Sequence, residues 1–205
     1  MSGGETATLR RPYYTLTNLG YGDLHPEMML SPRVAPQMIG LGLLDAIPAA
    51  DILAGVDPDD ADGDGIAGRA PIVMSSEYSV PKLGRFGLKA GQPSIWEQSA
   101  SAFAGDVGIS TTLPPAGFGD CAQAQTKCRT APNDNTPDKD NVEIGDMGPE
   151  LVSLYSANLG VPARRDVSAP QLLRGKQVFY ETGWIACHTP KHATHRLDGR
   201  PIGVP

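Results

Sequence analysis

The sequence predicts a mainly α-helical chain whose short helices are separated by long, irregular loops. Two observations carry that expectation. Gly and Pro number 24 and 19 among 205 residues, about one residue in five, too many for a helical bundle or coiled coil. Against that background, four stretches still show apolar spacing of helical period with start and stop signals.

The first stretch follows an irregular segment, residues 1–30, punctuated by Pro12, Gly20, Gly22 and Pro26. Val34, Met38, Leu41 and Leu44 predict a buried helix near 34–46, broken by Pro48, and a short helix over 49–54 ended by Gly55. Residues 55–92 read as loop with one acidic turn. Ser94-Ile-Trp-Glu97 is a capping box after Pro93, and Trp96, Ser99, Ala100 and Phe103 share a face of the helix it opens, with Gly105 as the stop. Glu97 reads as a surface residue of that helix. Residues 108–148 read as a flexible excursion rich in Pro, Asn, Asp and Gly. A helix over 148–159 places Leu151, Leu154, Tyr155 and Leu159 on one face, and another over 169–182 carries Leu172, Leu173, Val178 and Phe179. Nothing repeats internally, and the best boundary lies at 160–168, dividing the chain into 1–160 and 161–205.

Composition narrows the function classes. Hydrophobic residues are 40%, too many for a disordered chain. Trp, Tyr and Phe number only 2, 6 and 4, so a bound cofactor would supply bulk that the core lacks. The net charge is −6, and five of the 23 acids fall within Asp57–Asp64, while residues 161–205 carry seven Lys/Arg against three acids. The pI of 5.1 and the absence of a basic run argue against nucleic-acid binding. No apolar run reaches membrane-spanning length, and the first residues lack the pattern of a signal peptide.

Three motifs carry chemistry. Arg174-Gly-Lys leads through a helix to Trp184-Ile-Ala-Cys187-His188-Thr-Pro190, the layout of a c-type haem attachment site with Trp184 at the first cysteine position. That spacing lets cysteines form thioethers with haem vinyl groups while the adjacent His supplies an axial iron ligand. Cys187 and His188 leave a single-thioether haem c chemically open. The rival is a zinc-type cluster of Cys187, His188, His192 and His195.

Asp60, Asp62 and Asp64 followed by Gly65 match positions of a calcium loop, in which alternate carboxylates on a tight turn converge on one hard cation. Pro71 stands where an EF-hand has its bidentate Glu, so a calcium site of another form is expected, against a solvated acidic turn. Cys121 and Cys128, seven apart in a polar loop, suit a disulfide formed in an oxidising compartment. Gln98 and Asp106 are weaker candidates: an amide and a carboxylate suited to handling protons at a peroxide site, on what otherwise reads as helix surface. His25 reads as an ordinary loop histidine.

From about Leu9 to His192 the chain resembles the bacterial di-haem oxidoreductases, also called thiol oxidoreductases, relatives of the di-haem cytochrome c peroxidases. The resemblance rests on Arg11-Pro-Tyr-Tyr-Thr-Leu-Thr-Asn-Leu-Gly-Tyr-Gly22, Ser31-Pro-Arg-Val-Ala-Pro-Gln-Met-Ile-Gly-Leu-Gly-Leu-Leu44, the Asp57–Gly65 loop and Gly84-Arg-Phe-Gly-Leu-Lys-Ala-Gly-Gln-Pro93. It continues through Asp120-Cys121, Cys128, Val161-Pro-Ala-Arg-Arg-Asp166 and Arg174-Gly-Lys.

It implies a periplasmic protein of cytochrome c-like domains, each with a covalent haem c. One haem would react with peroxide and the other would relay electrons from a donor protein. Calcium between the haem domains is common in the related peroxidases. By resemblance, the Arg85–Asp106 segment lines the distal side of the peroxidatic haem. Gln98 matches the family's helix glutamine, and Asp106 loosely matches the acid that assists O–O cleavage.

The chain departs from the family pattern at Trp184 and at Leu88, where the family usually has Trp. The upstream Cys-x-x-Cys-His is missing, as is the segment that would close the second haem pocket. The expectation is a fragment of a di-haem oxidoreductase, not active alone: the back half of one haem domain (1–160) and the start of the next (161–205). The alternative is a calcium-stabilised structural or binding module that has lost haem.

Overall fold

The computed structural model describes residues 6, 8–20 and 22–194. Helices dominate, with one small sheet among the described residues. In chain order they are α1 (Leu41–Asp45), α2 (Ala49–Leu53), β1 (Ile72–Met74), β2 (Pro81–Leu83), α3 (Ile95–Ala102), α4 (Thr126–Arg129), α5 (Met147–Asn158) and α6 (Pro170–Glu181). The fold class expected from sequence, mainly α with long loops, holds.

The helix expected near 34–46 is only its last turn. Pro36 disfavours helical backbone at Ala35, and Gly40 sits at φ 79 as the residue before α1. Gly40 N–H donates to Leu159 O at 3.0 Å, and a Cβ there would come within 2.7 Å of Val161 Cγ2. Only glycine combines that backbone conformation with so close an approach. The end of α1 is then capped by Arg85, whose Nη1 donates to the carbonyls of Leu44, Asp45 and Ile47 at 3.3, 3.1 and 2.6 Å. Those are carbonyls that a helix end leaves unpaired.

The stretch read as loop between 55 and 92 contains the β1–β2 hairpin, antiparallel with Val73 opposite Lys82. Three-residue strands are too short to show the alternation that marks a strand in sequence. Beyond β2, the core gathers Phe86, Ile95 and Ala157, with Leu41 and Leu44 packed against them.

α5 forms nearly where expected but buries the other face. Pro149, Ser153, Ser156 and Ala157 point inward, whereas Leu151 and Tyr155 are 59% and 65% exposed. The small residues allow α5 to approach α3 closely enough for Ser153 Oγ to donate to Ser99 Oγ at 3.3 Å. The excursion at 108–148 is likewise ordered where flexibility was expected. Ser110, Thr111 and Val142 are fully buried, and Glu143 ties Ser110 to Asp134. The α6 helix spans its expected range and buries no residue; its partner is the 3-10 turn Trp184–Ala186 that follows it.

Candidate functional site

The α3 helix begins at Ser94, whose Oγ accepts from Glu97 N–H at 3.0 Å. Only that half of the capping box forms. The Glu97 carboxylate turns away from the helix start and accepts from Ser75 Oγ at 2.7 Å and Ser76 N–H at 2.6 Å. It is 2% exposed, which corrects the surface reading of this residue. The turn after β1 packs over it and supplies the donors that a buried carboxyl group needs.

α3 does not stop at Gly105. It widens into one turn of π-helix, Phe103–Val107, and ends at Gly108 with φ 76. Such turns re-aim the side chains they carry. Gln98, half-buried, and Asp106, exposed, line the same two hollows. One is polar, about 290 Å³, and also takes in Asp120. The other is apolar, about 390 Å³, and is walled by Met38, Leu41, Phe86, Ile95 and Phe103. Gly87 presses on the Gln98 side chain at φ 73, and a Cβ there would overlap Gln98 Oε1. The structure therefore places Gln98 and Asp106 at the same two hollows.

Asp120 is the residue that sequence reasoning passed over. Its Oδ2 lies 3.4 Å from where a Cβ on Gly105 would stand, beside Asp106. The next residue, Cys121, is bonded to Cys128 across a Cα separation of 6.1 Å, and Arg129 donates to Cys121 O at 3.1 Å. Arg129 also stacks 3.8 Å above the Phe118 ring. The cysteine neighbour was the available signal, because a loop fixed on one side of a carboxylate restricts where that carboxylate can reach.

In the acidic turn, the carboxylates of Asp57, Asp60, Asp62 and Asp64 accept backbone N–H groups of the turn itself. Asp57 takes Ala61 and Asp62 at 2.9 and 3.3 Å, Asp60 takes Gly65 at 3.0 Å, and Asp64 takes Ile66 at 2.8 Å. The N–H of Ala61, followed by that of Asp62, holds the Asp57 carboxyl below its ordinary pKa. Oxygens of Asp57, Asp60 and Asp62 lie within 4.8 Å of one another, and Asp64 stands outside that group. Asp57 thus joins Asp60 and Asp62, two of the three carboxylates that sequence spacing put forward. Among the described residues, Cys187, His188 and His192 form no comparable cluster; His195 lies outside the described residues.

The turn after α6 exposes Cys187 as a free thiol beside His188. N–H groups of Cys187 and His188 both donate to Trp184 O, at 3.2 and 2.9 Å, so the turn closes on itself. The Trp184 indole stacks on the His188 imidazole, with centroids 5.2 Å apart and planes 20° from parallel. Arg174 and Glu181 pair along α6 at 3.0 Å, both well exposed. A broad groove beside α6 is floored by Leu172, Leu173, Phe179 and Tyr180 and rimmed by Arg164, Arg165, Lys176 and Lys191.

No helix among the described residues is long and apolar enough to cross a membrane. No curated protein and no solved structure matches the chain. The family model described as "Di-haem oxidoreductase, putative peroxidase" matches residues 17–203, which takes in the acidic turn, the Gln98–Asp106 hollows and the Cys187-His188 turn. The chain belongs to the di-haem oxidoreductase family.

Proposed function

We propose that this chain serves haem c-dependent electron transfer of the peroxidase type, as part of a larger di-haem enzyme. The observation that carries the reading is the free, exposed Cys187 next to His188, on a turn closed at the end of α6, in a member of this family. The donor set fits the group. A thiol available for one thioether and an imidazole available as iron ligand stand on adjacent residues, and Pro190 and Lys191, just after them, line a groove with an apolar floor and a cationic rim suited to a flat ring bearing carboxylates.

Cys187 would tether haem c and His188 would ligate its iron; once bound, the haem supplies one-electron chemistry. The remaining work falls to protein side chains. Gln98 offers an amide for orienting a peroxide by hydrogen bonding, and Asp106 a carboxylate for moving its proton, both at the mouth of one hollow. Phe86, Ile95 and Phe103 give the other hollow an apolar wall. Calcium at Asp57, Asp60 and Asp62 would neutralise three converging carboxylates and stiffen the loop between α2 and the hairpin. The reading includes cytochrome c-like domains over 1–160 and 161–205, a periplasmic location, and an electron-donor protein and peroxide as partners of the parent enzyme.

A second reading, a calcium-stabilised module that has lost haem, is favoured by Trp184 in the first thioether position. A pyridine haemochrome spectrum, with haem staining of the denatured chain after periplasmic expression with cytochrome c maturation factors, separates the two. A covalent haem shifted to the single-thioether band position supports the first. A chain that folds with calcium but carries no covalent haem supports the second.

A further inference from the structure

We infer that Trp184 is the positioning residue for His188, supplying by ring stacking the orientation that a second thioether would otherwise impose. This rests on the haem reading of Cys187 and His188. Trp184 and His188 are one turn apart and share a side of the turn, because the N–H of His188 donates to Trp184 O. Their rings lie nearly parallel, 5.2 Å apart.

Behind the indole stands Phe179 of α6 at 6.3 Å, and Tyr180 meets Phe179 edge-on at 5.7 Å. The indole thus has Phe179 of α6 as a tilted neighbour, with planes 46° apart, and the His188 imidazole as a stacked one. Burial does not account for its place, since Trp184 remains 57% exposed. What it covers is one face of His188.

The geometry suits an axial ligand. Stacking occupies a face of the imidazole, while a ring nitrogen donates its lone pair in the plane of the ring, which the stack leaves open. With Trp at the first position, one thioether is available. The Cys187 S–H adds across a single vinyl double bond: the sulfur bonds one vinyl carbon, the hydrogen goes to the other, and the π bond is consumed with no net oxidant. A single tether leaves the turn freer to swing than two would. The stack restricts that freedom.

The test begins with the haem-free chain. Nuclear magnetic resonance of His188 is expected to show imidazole protons shifted upfield by the indole ring current, a shift kept in part by Trp184→Phe and lost in Trp184→Ala. In the haem-loaded chain, Trp184→Ala should lose His188 ligation to competing free imidazole at a roughly two- to tenfold lower concentration, the stack's typical worth. Trp184→Cys should move the haemochrome band to the two-thioether position.

Identical His188 shifts in the wild type and Trp184→Ala would overturn the inference even where haem attaches. So would a haemochrome band unchanged in Trp184→Cys. A wild-type chain with the ring-current shift but no covalent haem would instead overturn the haem reading, and this role with it.

Discussion

Ser110 and Glu143 hold each other reciprocally: Ser110 N–H donates to Glu143 Oε2 at 2.9 Å, and Glu143 N–H donates to Ser110 Oγ at 2.9 Å. Asn135 accepts the Ser110 hydroxyl proton at 2.7 Å, and Asp134 N–H donates to the other Glu143 oxygen at 3.1 Å. One serine and one glutamate thus join both ends of the long segment that carries Asp120 and the disulfide. Glu143→Ala leaves the buried Ser110 N–H without its acceptor and should cost about 1–3 kcal/mol. Chemical denaturation of the variant beside wild type measures it.

The same carboxylate gives the fold an acid-sensitive contact. The N–H of Ser110, then that of Asp134, holds Glu143 below its ordinary value of 4.5. Its folded-state pKa is depressed, so its stabilisation is complete above 4.5 and is lost as pH falls through the folded value. Asp45 works the other way. Burial raises its pKa, an effect partly offset by Arg85, so its ionisation opposes folding as pH rises above its ordinary value of 3.8. Glu143→Gln should flatten the acid limb of a stability–pH curve, and Asp45→Asn should steepen it.

Glu97 is the most demanding carboxylate of the core. Its oxygens accept from Ser75 Oγ and Ser76 N–H, and Ser75 Oγ in turn accepts from Tyr78 N–H at 3.1 Å. Glu97→Ala strands buried donors and opens a void against the hairpin, with a loss of about 3 kcal/mol expected. Glu97→Gln keeps the shape and one acceptor and should lose about half as much. Thermal unfolding of both variants tests the order.

Calcium should raise thermal stability through Asp57, Asp60 and Asp62, by about 2.7 kcal/mol at a hundredfold excess over its dissociation constant. Asp60→Asn with Asp62→Asn should abolish the increment, whereas Asp64→Asn should leave most of it. Melting curves with calcium and with chelator decide the matter. An equal loss in Asp64→Asn would place the ion where sequence spacing put it.

Gly87 sets the Gln98 side chain by having none of its own. At φ 73, an alanine would be strained and would also displace the Gln98 amide. Gly87→Ala should destabilise by about 1–2 kcal/mol, and amide resonances of Gln98 should move more than those of the opposite helix face.

Sequence alone determined the helix start at Ser94, the Cys187-His188 turn and the family, because caps and motif spacing are local chemistry. It also marked α5 as helical, since a period of 3.6 needs only the chain itself. Tertiary structure decided which face of α5 goes inside. Small residues at Ser153, Ser156 and Ala157 let α3 come close, so the larger Leu151 and Tyr155 were left outside. It decided as well that Glu97 is buried, that Asp57 joins Asp60 and Asp62, and that Gln98, Asp106 and Asp120 meet at one hollow. Each of those depends on how segments distant along the chain pack or on the turn that a loop adopts, and residue spacing records neither.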